Sequence, residues 1–145
     1  MSNIPNILVV DACILFSFFN SNSERRKIIE KLSLLQCRMI SPEFSFEELL
    51  NNKEKIKKYS EINELAFSFL LSLLSSKIET ISKKIYFDFL LEANSMSPHK
   101  KNTKDDPYFA LALALNSPIW SDEEAFKLQQ KVMVFSSNDL AKILL

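Results

Sequence analysis

Short apolar runs and longer stretches of helical spacing follow one another along the chain. Strands are predicted at four short apolar runs, at 7–10, 38–40, 118–121 and 132–135. The run at 7–10 is continuously apolar, which is typical of a strand buried on both faces of a parallel sheet. Alternating residues at 78–81 predict either a small strand or an extended link.

Apolar residues three and four positions apart predict helices between these strands. The predicted helices lie at 23–35, 42–49, 62–73, 85–93, 106–116, 125–129 and 137–145. Ser23 or Asn22 is expected to cap the first of them, and Ser41 the second, which has a proline in its first turn. The charged residues of 51–58 predict a loop with one helical turn, and the polar residues of 95–104 predict a loop.

Strands that alternate with helices predict an α/β fold built from βαβ units. We expect a single domain over residues 1–145, with a parallel β-sheet of four or five strands flanked by helices. A second domain would leave each part too small to bury a sufficient core. The sequence contains neither an internal repeat nor a linker.

Composition narrows the function mainly by what it excludes. The 145 residues contain no glycine, which excludes glycine-rich phosphate loops and leaves left-handed backbone positions to Asn, Asp or Ser. The net charge of zero does not point to a polyanionic partner. Cys13 and Cys37 form no paired motif and are expected to be buried, reduced thiols. Because neither a signal peptide nor an apolar run of roughly 20 residues is evident, we expect a cytoplasmic protein that does not enter a membrane.

The informative feature is where the acidic residues stand relative to the predicted elements. Asp11 closes the first predicted strand, and Asp122 and Glu123 close the third. Glu47 and Glu48 lie in the helix after the second strand, and Asp105 and Asp106 open the most apolar helix. In an open parallel sheet, strand ends and the starts of the next helices gather along one edge, where ligands bind. Acids that are distant in sequence are therefore expected to meet in one crevice.

Carboxylates that meet repel one another, and a cation relieves that repulsion. Several carboxylates with few nearby His or Cys side chains favour Mg²⁺ or Mn²⁺, and the single histidine, His99, lies in a polar segment. Such an ion can polarise a phosphodiester and lower the pKa of an attacking water. Each acid also has a purely structural explanation, as a turn former, a helix cap or part of a solvated helix face.

Four segments of the sequence, taken in order, resemble the PIN domain. They are residues 9–12 (VVDA), 41–49 (SPEFSFEEL), 105–112 (DDPYFALA) and 119–123 (IWSDE). The best resemblance is to the branch of the family that carries an Ile-Trp-Ser segment before the last acid. It implies a parallel sheet flanked by helices and a metal-dependent ribonuclease of the kind found as toxins in toxin–antitoxin pairs. An antitoxin partner and a homodimer are further implications.

The resemblance also implies which acids bind the ion. Asp11 matches the first acid of the family. The second acid usually precedes a leucine, which favours Glu48, although the choice between Glu48 and Glu47 stays open. The third stands four residues before an apolar-Ala-x-Ala run, which selects Asp105 and leaves Asp106 as the helix cap.

The fourth acid departs from the family pattern. Glu123 stands where the family mostly has Asp, Asp122 lies one place earlier, and Ser121 occupies the usual Ser or Thr position. Ser121 is also a candidate for binding substrate. The resemblance therefore implies that the metal ligands are Asp11, Glu48, Asp105 and Glu123. Asp122 is the fifth residue of the implied catalytic set.

A basic segment precedes the acidic helix start. Lys100, Lys101 and Lys104, beside His99, are candidates for holding RNA phosphates, since cations on the backbone give affinity without sequence readout. A solvated loop is the alternative explanation. Trp120 is expected in the core rather than as a platform on which bases stack.

An endoribonuclease that uses Mg²⁺ or Mn²⁺ is the favoured function. The altered fourth acid leaves a catalytically weak or inactive PIN-like module, which binds RNA or a protein, as the alternative. A phosphatase similar to haloacid dehalogenases, with Asp11 as nucleophile, is disfavoured because Cys13 stands where a second Asp is required. A response-regulator receiver is disfavoured because neither its acidic pair nor its phosphoacceptor Asp is evident.

Overall fold

A computed structural model of the chain describes residues 4–98 and 103–145. Strands β1 to β5 cover Ile7–Val10, Arg38–Pro42, Ile78–Ile81, Ile119–Trp120 and Val134–Phe135. Helices α1 to α9 cover Ala12–Ser17, Glu24–Leu34, Phe44–Asn51, Lys53–Ser60, Glu64–Ser75, Lys83–Tyr86, Leu90–Met96, Asp106–Leu115 and Ser137–Leu144. Short 3₁₀ helices cover Phe87–Phe89, Thr103–Asp105 and Glu124–Leu128.

The strands form one sheet in the order β3-β2-β1-β4-β5, and every neighbouring pair is parallel. This confirms the predicted α/β class and the parallel sheet flanked by helices, and residues 78–81 supply the fifth strand. Val10 lies opposite Trp120 in the β1–β4 register, so these two strands end together. The residues directly after β1 and β4 therefore lie at the same edge of the sheet.

Both faces of β1 are buried, as its uninterrupted apolar sequence predicts. Successive side chains of a strand point to opposite faces. Leu8 and Val10 enter a cluster built with α1, α2, α5 and α9, and Trp120 is fully buried in the same cluster. Val9 and Ile119 enter a second cluster that includes most of α8. The prediction that Trp120 belongs to the core is confirmed.

Three local predictions are wrong. Helix α1 was not expected, because its residues are nearly all apolar and continue the run of β1 past Asp11 without helical periodicity. Residues 53–60 form helix α4 rather than a loop, since Ile56 is buried and Lys57 pairs with Glu64 of α5 at 3.0 Å. The predicted helix at 85–93 is divided by the 3₁₀ turn between α6 and α7.

Helix caps agree with the prediction in one place and depart from it in another. The Ser23 hydroxyl accepts a hydrogen bond from the Arg25 amide, which confirms Ser23 as the cap of α2. Ser41 does not cap α3, because β2 continues through Pro42 and the Ser41 hydroxyl instead donates to the carbonyl of Val10 at 2.9 Å. That bond ties the ends of β2 and β1 together.

Left-handed backbone occurs among the described residues at Gln36, Glu61 and Asn116, with φ of 62°, 56° and 50°. Only Asn116 belongs to the residue types that were expected there. Each of the three stands where a helix ends, and a chain without glycine places other residues in that role. Helix ends therefore decide these positions more strongly than side-chain preference does.

The two cysteines differ in exposure. Both are free thiols, but only Cys37 is buried, whereas Cys13 is exposed, so the expectation of burial is wrong for Cys13. Cys13 is the second residue of α1, at the open edge of the sheet.

No helix within residues 4–98 and 103–145 has both the length and the apolarity that crossing a bilayer requires.

Candidate active site

Asp11 stands at the end of β1, in the cap position of α1, and only 7% of its surface is exposed. Its amide donates to the carbonyl of Trp120 at 3.1 Å, which extends the β1–β4 pairing by one residue. The Ser121 hydroxyl, at the end of β4, donates to Asp11 Oδ2 at 2.9 Å. The parallel register therefore brings both side chains to one point.

Burial raises the pKa of Asp11, because a desolvated carboxylate loses the stabilisation that water gives to its charge. The hydrogen bond from Ser121 and the nearby backbone amides of Ala12 and Cys13 act in the opposite direction, and the negative charge of Glu123 raises the pKa further. The net shift is upward. Asp11 is thus a well-oriented carboxylate whose negative charge its surroundings do not fully compensate.

Ser121 connects Asp11 to Glu123. The hydroxyl oxygen of Ser121 accepts a hydrogen bond from the Glu123 amide at 3.1 Å, and the same hydroxyl donates a hydrogen bond to Asp11. Ser121 is 1% exposed, so this geometry is held inside the protein. The predicted role of Ser121 in substrate binding stays a prediction, and its observed contacts are with the Asp11 carboxylate and the Glu123 backbone.

Asp105 approaches the same place from the start of α8. Its negative charge raises the pKa of Cys13 and of Tyr108, after burial and Asp11, which raise both more strongly. Glu123 also raises the pKa of Cys13. We call Asp11, Asp105 and Glu123 the acidic centre, because all three charges act on Cys13.

The donor chemistry of the acidic centre suits Mg²⁺ or Mn²⁺, since carboxylate oxygens are the ligands these ions prefer. The raised pKa of Asp11 is the observation that fits a cation, which would stabilise its charged form. Across the part of the chain that the structure describes, no three Asp, Glu, His or Cys side chains already converge as a metal cage. The acids would therefore have to move closer together around an ion.

Asp106 does not cap α8, contrary to prediction. It is the first residue inside the helix, and Asp105 occupies the cap position without a capping hydrogen bond from its side chain. Asp106 is 5% exposed, and its Oδ2 accepts a hydrogen bond from Asn94 Nδ2 at 2.9 Å. Because its carboxylate points toward α7, Asp106 does not accept capping hydrogen bonds from the first amides of α8.

Glu48 and Glu47 differ in their surroundings. Glu47 is exposed, whereas Glu48 lines a cavity of about 500 Å³ between α3, α6 and the start of α8. Lys104 and Asp106 line the same cavity. The structure thus places Glu48 beside the start of α8, in a cavity next to the acidic centre rather than among its members, and leaves Glu47 in solvent.

Asp122 is committed to other contacts. It forms an ion pair with Arg25 at 2.7 Å, and it accepts hydrogen bonds from the amide and hydroxyl of Ser137 at 2.6 and 2.5 Å. Burial would raise the pKa of Asp122, but the bonds from Ser137 and Arg25 outweigh it and lower the pKa. We call Arg25, Asp122 and Ser137 the ion-pair cluster. Its geometry favours Glu123 over Asp122 as the fourth acid.

The basic candidates are only partly described. Lys104 is exposed at the mouth of the cavity that contains Glu48. Lys100 and Lys101 lie outside the described residues, so their proposed contact with phosphates stays a prediction. Arg25, in the first turn of α2, is not available to phosphates in the same way, because it forms an ion pair with Asp122.

Sequence reasoning missed Tyr108. This residue of α8 is 2% exposed, and burial together with the charge of Asp11 raises the pKa of its phenol well above 10. Its ring packs edge-on against Phe44 of α3, with the ring centroids 5.6 Å apart. A polar aromatic residue three positions after Asp105, in an otherwise apolar helix, was the available signal.

Comparison with known proteins agrees with the fold. A family model described as "PIN domain" matches residues 9–132. Among solved structures, the chain is similar to a chain of the VapBC2 complex from Rickettsia felis bound to a DNA fragment from its promoter, with 16% identity and a TM-score of 0.67. That similarity covers 90% of this chain and 98% of the other. No curated protein matches the sequence significantly.

Proposed function

The chain belongs to the PIN-domain family, whose members are in general nucleases, and on that premise we propose that it is a Mg²⁺- or Mn²⁺-dependent endoribonuclease. The observation that carries the proposal is the state of Asp11. This carboxylate is buried, its pKa is raised, and Asp105 and Glu123 add negative charge beside it. Such an arrangement is costly to the fold unless a cation binds there.

Asp11, Asp105 and Glu123 would hold the cation, with Glu48 reaching it from the neighbouring cavity. A divalent ion bound there would neutralise charge on a phosphodiester and favour deprotonation of the attacking water. The longer side chain of Glu123, compared with the usual Asp, still allows a carboxylate oxygen to reach the ion. Asp122 remains the alternative fourth acid, and it would first have to leave Arg25.

The remaining residues of the site orient these acids and attract substrate. Ser121 fixes one carboxylate oxygen of Asp11 and the backbone amide of Glu123, so it holds these two residues side by side. Lys104, and Lys100 and Lys101 before it, would hold the phosphates on either side of the cleaved bond. These contacts are to the backbone, so they would give affinity without choosing a sequence.

We further propose that the protein is the toxin of a toxin–antitoxin pair. The similar structure from Rickettsia felis is described as a VapBC2 complex bound to promoter DNA, which supports an antitoxin as partner of this chain. We expect the antitoxin to cover the acidic centre and the toxin to form a homodimer. A cytoplasmic location, where RNA targets are present, stays part of the same prediction.

RNA cleavage by the purified chain tests the proposal. A mixed-sequence RNA should be cut with Mn²⁺ or Mg²⁺ and left whole with EDTA. Asp11→Asn should slow cleavage on the order of 10³-fold, the scale expected when a main electrostatic stabiliser is removed. Cleavage that persists in EDTA, or in Asp11→Asn with an unchanged rate, would contradict the proposed site.

Glu47 and Glu48 provide a matched pair of variants for the second acid. Glu48→Gln should slow cleavage, whereas Glu47→Gln, which changes an exposed side chain one residue away, should leave it unchanged. The reverse result would transfer the role to Glu47. Circular dichroism of both variants controls for loss of fold.

A module that binds RNA or protein without cutting is the second candidate. The observation that favours it is that the described acids do not already form a metal cage. Titration of the wild-type protein with Mn²⁺ separates the two candidates. Binding of RNA without any binding of Mn²⁺ would favour the module and reject the nuclease.

A further inference from the structure

Tyr108 carries a buried hydroxyl that has no hydrogen-bond partner among the described residues. Buried polar groups are nearly always hydrogen-bonded in folded proteins, so such an exception calls for an explanation. Three described side chains hold an atom of this kind, and two of them, Tyr108 and Asp106, lie in the first turn of α8. Two of these three unsatisfied groups therefore belong to the helical turn that follows Asp105.

The surroundings of the Tyr108 hydroxyl point to the acidic centre. The charges of Asp11 and Asp105 act on the phenol, and the Ala12 amide lies near enough to affect it although it does not complete a hydrogen bond. The pKa of the phenol is raised, so the hydroxyl stays protonated and can act as a donor. It is thus a neutral donor beside two carboxylates.

Asp105 is the acceptor that best fits this donor. The two residues are three positions apart at the start of α8, a spacing that places side chains on the same side of a helix. Asp11 already accepts a hydrogen bond from the Ser121 hydroxyl at 2.9 Å. A cation that draws Asp105 toward Asp11 would also draw it toward the phenol.

We propose that Tyr108 is a positioning residue of the acidic centre, whose hydroxyl donates a hydrogen bond to Asp105 when a divalent cation binds. The inference rests on the proposed function. It adds a residue that touches neither the ion nor RNA and acts by holding one ligand in place. Partners of this type commonly change metal affinity by about 10–100-fold when they are removed.

The Tyr108→Phe variant separates this role from a structural one. Phenylalanine keeps the ring that packs on Phe44 and removes only the unsatisfied hydroxyl. Without metal, the melting temperature should be equal to or above that of the wild type, because an uncompensated buried hydroxyl destabilises a fold. In calorimetric titration with Mn²⁺, affinity should fall about 10-fold or more. Tyr59→Phe, at an exposed tyrosine of α4, is the control and should bind Mn²⁺ normally.

A double-mutant cycle tests the named acceptor. If the hydroxyl acts through Asp105, Tyr108→Phe should weaken Mn²⁺ binding much less in an Asp105→Ala background than in the wild type. Equal losses in both backgrounds would overturn the inference, as would normal binding by Tyr108→Phe or a variant that fails to fold. Wild-type protein that binds no Mn²⁺ would remove the cation site and this inference together. Binding of Mn²⁺ without RNA cleavage would reject the nuclease alone.

Discussion

Two neighbouring groups of charged residues at the end of β4 shift the pKa of Asp11 and of Asp122 in opposite directions. In the ion-pair cluster, Asp122 meets Arg25 and two donors of Ser137, and its pKa is lowered. In the acidic centre, Asp11 is buried with hydrogen-bond donors and beside another acid, and its pKa is raised. Arg25 and Ser137 therefore stabilise the charged form of Asp122, whereas the surroundings of Asp11 leave its charged form disfavoured.

The direction of these pKa shifts distinguishes acids that stabilise the fold from acids that are available for function. A carboxylate that the fold pairs with a cation contributes to stability and has little capacity left for a ligand. A carboxylate that the fold orients but leaves uncompensated lowers stability and is available to bind a cation. Asp122 and Glu123 are adjacent in sequence, yet the structure assigns them to different groups.

Addition of Mn²⁺ should give the largest effect, because it would place positive charge beside Asp11, whose pKa is raised. A ligand that binds only the folded state at about 100 times its Kd stabilises it by about 2.7 kcal/mol. The melting temperature should therefore rise by several degrees in calorimetry. The rise should be lost in Asp11→Asn and kept in Glu124→Gln, a change at an exposed acid near the site. No rise for the wild type would remove the proposed cation site.

Exchange of the fourth acid should have the next largest effect. Glu123→Gln should lower the RNA cleavage rate roughly 10–100-fold, the range seen when support of a metal site is impaired. Glu124→Gln changes the next residue in the same way and should leave the rate intact. If Glu123→Gln cleaves RNA like the wild type while Asp122→Asn is inactive but folded, Asp122 is the fourth acid.

Stability without metal should change in opposite directions in the two groups. Asp122→Asn weakens charged hydrogen bonds to Arg25 and Ser137 and should lower the free energy of unfolding by about 1–2 kcal/mol, allowing for partial solvent exposure. Asp11→Asn removes an uncompensated buried charge and should raise it. Urea denaturation in EDTA measures both. A loss of stability in Asp11→Asn would mean that its carboxylate is structural after all.

The fold could be predicted because its determinants are local. The apolar run of β1 and the alternation of strands with helices specify a parallel sheet whatever the remaining details. Where prediction failed, longer contacts decided the outcome. Helix α4 is supported by the ion pair between Lys57 and Glu64 of the next helix. Ser41 does not cap α3, because its hydroxyl donates a hydrogen bond to the carbonyl of Val10.

The candidate site was predictable only in part for the same reason. Asp105 was selected by resemblance to the family, and its role stays a prediction. Asp11 and Ser121 are set by the ends of β1 and β4, which the sequence makes evident. The choice between Asp122 and Glu123 is not, because it depends on Arg25, which stands 97 residues earlier in the chain than Asp122. Tyr108 was missed because its position three residues after Asp105 is only a weak signal, whereas its unsatisfied hydroxyl is a property of three-dimensional packing.

The pH dependence of stability should show the smallest effect and the sharpest contrast. The pKa of Asp11 is raised above its ordinary 3.8, so its protonated form favours folding, and this contribution is lost as pH rises through the folded-state pKa. The pKa of Asp122 is lowered, so its contribution is present above 3.8 and is lost as pH falls through the folded-state pKa. Stability of the wild type relative to Asp11→Asn should therefore decline above pH 3.8, and stability relative to Asp122→Asn should decline below it. Urea denaturation in EDTA across this range measures both differences. If both stability differences declined in the same direction with pH, the pKa values of Asp11 and Asp122 would not be shifted in opposite directions.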